Sequence, residues 1–424
     1  MADSEKAANV SNPAINVNDV KTTPYSWFIA ILVLLTYAVS FICRNVWTTA
    51  IPIAAPSLGM TMAAAGGLMT AYYIGYVISN FITGFMVDSI GPRKTLALAT
   101  LFTGLFTLAI PFVSGYAAIF ALRVGAGLSS GPLFSGVVKY QISYFSPTSR
   151  ATAMGFMMSG PALGTTIASA AFAPVITNQG WQQGFIYAAI CAIAVAVVFF
   201  FLAKEQGAAA ARSSKNLTPE EKAAERKGLM AVISKRSFLI GTIACFLSIG
   251  ANMGFNTWII TYFTEGRGFS LAQAGAIFGA SSAVGLFSGT LSGFVSDILK
   301  AKKKVCYVGA ASSVICTILL MTLSNNSALW IAMLFRGLLG AFMGTPLNAL
   351  QAEAAAGPYA GRAMGIYNGL AQAGSIVFPL IFGIILDITA MNFTIVITTV
   401  ACTVALCGIL IALMDEKKAV ASPK

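Results

Sequence analysis

The chain contains no histidine. The side chain that most often shuttles protons near neutral pH, and the commonest metal ligand, is therefore missing from any mechanism it uses. Charge is scarce too: 9% of the 424 residues are Asp, Glu, Lys or Arg, and only 14 residues are acidic. The seven cysteines (Cys43, Cys191, Cys245, Cys306, Cys316, Cys402 and Cys407) form no CxxC pair and fall in or beside apolar runs. They read as small apolar helix residues, neither disulfides nor metal ligands. No GxxxxGK(S/T) phosphate loop is present, which argues against a nucleotide-driven pump, and no nucleophile stands beside a base. Covalent catalysis, a metal and a cofactor are all left without residues to support them.

Apolar surface is what the chain has in excess. It is 57% hydrophobic, with a mean hydropathy of +0.80, more than a soluble core requires, so an all-α polytopic membrane protein is expected. Apolar spans can be drawn at 27–55, 61–87, 95–113, 117–143, 151–175, 184–203, 237–263, 271–296, 304–323, 327–351, 363–388 and 391–414. These twelve are close to or beyond the ~20 residues that cross a bilayer as helix. Connections are short except for a polar stretch at 204–236, where Leu217-Thr218-Pro219-Glu220-Glu221 predicts a short surface helix with Thr218 as N-cap. The expected organisation is a tail at 1–25, a six-span bundle at 26–203, a central loop at 204–236, a second bundle at 237–414 and a tail at 415–424. Residues 1–25 resemble no signal peptide, so the first span is expected to be retained.

The formal charge of +12 does not point to nucleic acid. Lys and Arg concentrate in alternate loops: Arg93/Lys94, Arg150, Lys204 to Arg236, Lys300 to Lys304, Arg362 and Lys417/Lys418. That positive-inside pattern predicts a multi-pass protein of the inner (plasma) membrane, with both termini cytoplasmic and the lipid bilayer as its surroundings.

The two halves repeat each other. Gly84-Phe85-Met86-Val87-Asp88 recurs as Gly293-Phe294-Val295-Ser296-Asp297, each followed by a basic cluster. The R-x3-G-x3-G pattern at Arg123 recurs at Arg336, and Arg150-Ala151-Thr152-Ala153-Met154-Gly155 recurs as Arg362-Ala363-Met364-Gly365. Three matches at one offset of about 210 residues indicate an internal duplication. Parallel repeats of this kind are a transporter architecture with the substrate site at their interface.

Polar residues inside the spans are the candidates for that site. Arg44 sits within the apolar run from about Trp27 to Ala55. A charge there costs ~3 kcal/mol on insertion scales, and a guanidinium does not discharge by losing its proton. A transported anion or cavity water must meet it, unless the side chain snorkels outward. Arg123 and Arg336 lie a few residues inside the outer membrane face, where snorkelling and bonds to backbone carbonyls compete with cargo binding. No Asp or Glu sits deep in any span; Asp88, Asp297, Glu353 and Asp387 fall at span ends. A cationic cavity without a counter-carboxylate suits an anion, and the arginine fork suits carboxylate or sulfonate oxygens. Tyr72, Tyr73, Tyr76 and Asn80 form a polar-aromatic stripe on the second span. Asn368 and Gln372 repeat the four-residue spacing of Tyr76 and Asn80 on the eleventh, and Asn256 is similarly placed on the seventh. Each fits a ligand contact or an interhelical hydrogen bond equally well.

Residues 84–94 (GFMVDSIGPRK) and Gly160-Pro161-Ala162-Leu163-Gly164 resemble the loop motif and the fifth-span motif of the Major Facilitator Superfamily. With the twelve spans and the duplication, the resemblance covers residues 25 to 415. It implies two pseudo-symmetric six-helix bundles rocking about a cavity lined by the first, fourth, seventh and tenth spans. Within the loop motif, Asp88 beside Arg93, repeated at Asp297, reads as a conformational latch and not a substrate contact.

Inside that superfamily the chain looks most like the anion:cation symporter group. By that resemblance Arg44, Tyr76, Arg123, Trp258 with Tyr262, and Asn368 are cavity residues, and Arg336 is an addition. Cys43 and Ser130 stand where the group often carries acids, so the carboxylates of a proton-coupling path are missing. The expected function is secondary transport of a small organic anion, not an enzymatic reaction, by a chain expected to act as a monomer. Symport with protons follows from the resemblance. Anion exchange is the alternative that the missing carboxylates favour. An anion sensor is a third possibility, for which the central loop is a poor output element.

Overall fold

The computed structural model describes residues 20–204, 227–355 and 360–414; side chains at 81–82, 84–85, 88, 151 and 360–362 fall outside that description. The helix expected at Thr218 lies outside it as well. All secondary structure among the described residues is helical. In chain order the long helices are α1 (Pro24–Ser57), α2 (Met62–Ile90), α3 (Pro92–Phe112), α4 (Tyr116–Tyr144), α5 (Thr152–Gln179) and α6 (Trp181–Leu202). The second half holds α7 (Arg236–Gly266), α8 (Leu271–Leu299), α9 (Lys302–Thr322), α10 (Asn326–Ala354), α11 (Ala363–Ile388) and α12 (Phe393–Ala412). Eleven of these are long and apolar enough to cross a membrane, and α2, at 29 residues, completes the set.

In lipid the backbone must satisfy its own hydrogen bonds, which makes helix the default for such runs. Polar residues mark where the runs start. Thr23 with Ser26 and Ser270 with Gln273 form reciprocal caps on α1 and α8, and Thr61 caps α2. Gly91, at φ 82°, lets α2 turn into α3 within one residue. Several runs that read as single helices are interrupted. α4 breaks at Gly131-Pro132 and α10 at Gly340, both inside the repeated R-x3-G-x3-G pattern. α5 carries a π-turn at Ile167–Ala171, and α7 ends in another at Tyr262–Gly266.

The halves meet at one end of the bundle, the end bearing the α1–α2 and α7–α8 turns. There α2 packs on α11 and α5 on α8, closely enough that only glycine fits. A Cβ on Gly66 would lie 2.4 Å from the Pro379 carbonyl oxygen, on Gly383 2.4 Å from that of Met62, and on Gly275 2.3 Å from that of Ser169. Hydrogen bonds cross at the same end: Thr70 Oγ1 donates to Ile376 O at 2.6 Å and Thr166 Oγ1 to Gly279 O at 3.2 Å. The Asp387 carboxylate at the end of α11 accepts from Met62 N and Ala63 N, each at 2.8 Å, capping α2 from the opposite half. Towards the other end the same helices diverge. Among the described residues, a Cβ on Gly155, Gly289, Gly293 or Gly365 would meet nothing within 4 Å. The bundle is closed at one end and open at the other.

Candidate functional site

Arg44 lies at mid-span and is only 6% exposed, so its head is held by protein. Snorkelling requires the head to reach water, and this one turns into the second span instead. Its guanidinium carbon stands 4.0 Å from the ring centre of Phe41, one helical turn back on α1. On α2 the rings of Tyr72, Tyr73 and Tyr76 lie at 5.1, 5.3 and 5.1 Å. Each such contact is worth ~0.5–2 kcal/mol, so this aromatic cage offsets the buried charge. One donor is left over: Arg44 Nε is buried without a hydrogen-bond partner. Tyr76 takes part in the site through this cage.

Arg123 is fully buried and its donors go elsewhere. Nε donates to Leu68 O at 3.2 Å, Nη1 to Cys43 O at 3.3 Å and Nη2 to Arg44 O at 3.2 Å. The snorkelling alternative fails here too, and the competing expectation of bonds to backbone carbonyls describes the side chain. Arg123 braces α1 against α2, fixing the turn of backbone that carries Arg44.

Between the halves, next to this cage, is a cavity of about 290 Å³. At ~30 Å³ per water molecule in the liquid it has room for roughly ten waters, the scale of a small organic anion. Its first-half wall is Phe41 of α1 with Pro161, Ala162 and Thr165 of α5. The second half supplies Asn252 and Asn256 of α7, Ser281, Ser282 and Ser288 of α8, and Arg336 of α10. The wall thus comes from α5 and α8 as well as α1, α7 and α10, and Arg123 of α4 is engaged with α1 and α2 instead.

Arg336 is 8% exposed and reaches the cavity, so it does not snorkel. One face of its guanidinium covers the Phe255 ring at 3.6 Å, and Nη1 donates to Ser313 Oγ at 3.2 Å. Asn256 Nδ2 donates to Asn252 Oδ1 at 2.9 Å, fixing an amide pair on the same wall. Among the described residues, no Asp or Glu lines the cavity.

Other expected residues lie off this wall. Trp258 is buried with Nε1 donating to Pro379 O at 3.0 Å, which makes it a strut between α7 and α11. Tyr262 bonds the Leu320 carbonyl and accepts from Arg267 Nε at 2.6 Å, tying α7 to α9. Gln372 accepts from Ser375 at 3.2 Å on its own helix, and Asn368 is exposed on the first turns of α11. The cavity hydroxyls of α8 went unread because serines on a long small-residue helix look like packing residues.

The basic loops act as helix caps. Arg93 Nε, at the start of α3, donates to Phe200 O at the end of α6, at 2.9 Å. Lys303, at the start of α9, donates to Ala412 O at 3.1 Å and Met414 O at 2.7 Å at the end of α12. A cation at the start of the third helix of each half therefore ties it to the end of the sixth. Arg150 Nε likewise donates to Phe145 O at 3.1 Å behind α4. Asp297 is exposed, Glu353 pairs with Lys302, and the Asp88 side chain lies outside the described residues.

The model of the Major Facilitator Superfamily matches residues 33–379. The chain is 27% identical over 402 residues to the probable galactarate/D-glucarate transporter GudP of Bacillus subtilis, covering 87% of each. It is 25% identical over 379 residues to the probable sulfoacetate transporter SauU of Cupriavidus necator, covering 84% of this chain and 86% of that one. Among solved structures, a bacterial homologue of the human lysosomal transporter Spinster, in an inward-facing and unoccupied conformation, superposes with a TM-score of 0.76. Identity there is 15%, over 95% of this chain and 100% of that one.

Proposed function

Because the chain belongs to the Major Facilitator Superfamily, we propose that it is a secondary transporter of small organic anions, carboxylates or sulfonates, working by alternating access. The observation that carries this reading is Arg336 on the wall of a cavity shared by both halves, with no carboxylate among the described residues that line it. Arg44 lies one aromatic ring behind the same wall. The relatives named for galactarate, D-glucarate and sulfoacetate support the same cargo class. The moving bodies are residues 26–203 and 237–414, linked by 204–236. With both termini cytoplasmic, as the loop cations suggest, the open end faces the cytoplasm of the cell and the chain sits in its inner membrane as a monomer. The test is uptake into proteoliposomes of labelled D-glucarate, D-glucuronate and sulfoacetate, with glucose as the neutral control. Saturable uptake of at least one anion and none of glucose is expected; uptake of glucose alone, or of nothing, would reject the reading.

Coupling has two readings. Proton symport follows from the group the chain resembles. Exchange is favoured by a specific observation: among the described residues no His, Asp or Glu lines the cavity to carry a coupling proton. Uptake driven by an inward proton gradient into empty vesicles supports symport, whereas uptake that requires internal anion supports exchange.

A further inference from the structure

Resting on that transport reading, we propose that the cavity is matched to a dianion with an acidic group at each end, one held by Arg336 and the other by Arg44. The two guanidiniums belong to opposite halves, α10 and α1, and no carboxylate is among the described residues lining the cavity. Arg336 is ready in the structure as it stands: Phe255 covers one face and Ser313 takes one donor, while the side chain still reaches the cavity.

Arg44 waits behind Phe41. The Phe41 ring lines the cavity and also lies 4.0 Å from the Arg44 guanidinium carbon. The cage supplies aromatic faces but no partner for the buried Nε. Buried donors are normally hydrogen-bonded, so an orphan beside a cavity marks a partner that arrives with the cargo. Swinging Phe41 aside opens the path between the second acidic group and Arg44.

The discrimination arises when the open end closes. A monoanion neutralises one guanidinium and leaves the other buried without a counter-charge, which is the costly way to hold a charge in protein. A dianion neutralises both and draws the halves together on a single molecule. The cavity therefore selects at the occlusion step, and selects on charge.

Matched pairs test this, each differing only by a carboxylate replaced by a hydroxymethyl group: D-glucarate against D-gluconate, and sulfoacetate against 2-hydroxyethanesulfonate. Uptake KM in proteoliposomes and thermal stabilisation of the purified protein are measured for all four. For the wild type, at least one dianion is expected to be favoured over its partner by about tenfold or more, the scale of one charge-assisted contact. In Arg336→Gln that ratio should collapse towards one. Arg336→Lys, which keeps the charge but not the fork, should retain the preference with weaker binding, and serves if the Gln variant does not fold. A wild-type ratio near one in both pairs would overturn the proposal while leaving anion transport intact. An unchanged ratio in Arg336→Gln would overturn it as well. Uptake and stabilisation by none of the four would remove the transport reading and this inference together.

Discussion

Removing the Asp387 carboxylate should open the closed end. That carboxylate bridges the halves through two bonds of 2.8 Å to Met62 N and Ala63 N, at the positive end of the α2 dipole. Hydrogen bonds to a charged group contribute ~1.5–3 kcal/mol when sheltered, but Asp387 is exposed, so ~1 kcal/mol each is the better figure. With a few tenths from the dipole, Asp387→Ala should weaken closure by about 2 kcal/mol, roughly a thirty-fold change in the closed-to-open ratio. Asp387→Asn should fall between, because the amide keeps one acceptor and sets an NH2 against an N–H. Spin labels at exposed Ser57 and Ile395, on opposite halves at this end, would report the distance distribution. The exposed Cys191 and Cys402 must be replaced first. A longer-distance population that grows in the order wild type, Asn, Ala is expected. An identical distribution in all three, with unchanged uptake, would refute the assignment of Asp387 as a latch.

Three further outcomes are expected. Arg44→Ala should abolish anion uptake while the protein still inserts, since removing the charge eases insertion by up to ~3 kcal/mol; uptake and surface expression on the same variant decide it, and Arg44→Lys should be badly impaired. Arg123→Ala should lose about 2–4 kcal/mol of stability, because three backbone carbonyls lose a buried donor; a fall in Tm in detergent, partly restored in Arg123→Lys, is the readout. Gly275→Val places a Cβ 2.3 Å from Ser169 O and 2.6 Å from Ala173 Cβ; uptake should drop about tenfold or more, with the Ser57–Ile395 distance shifted as in Asp387→Ala.

The helices were legible because a bilayer demands long apolar runs, and the pairing of halves because three motifs repeat at one spacing. Breaks at Gly131-Pro132 and Gly340 were written in the residues but hidden by the unbroken hydropathy around them. Arg123 shows a different limit. Its depth in the span was readable, but the choice between water, cargo and backbone depends on where α1 presents the Cys43 and Arg44 carbonyls, which is a tertiary fact. Arg336 illustrates the converse: closeness to a membrane face suggested an outward head, yet α10 turns it onto Phe255. Asp387 looked like one acid at a helix end because its partners are amides 325 and 324 residues away. Trp258 and Tyr262 carry the pattern of cavity aromatics while their polar atoms are taken up by Pro379 and Leu320.

A polytopic chain is threaded into the membrane before its helices are packed, and the capping cations serve both stages. Arg93, Arg150 and Lys303 belong to the loops expected to stay on the cytoplasmic side during synthesis. In the finished molecule they bond the terminal carbonyls of α6, α4 and α12, Arg150 through Ile142 O. A loop that crosses the wrong way thus carries off the cap its half needs, leaving those helix ends without their cation. Misthreading and loose packing become one defect.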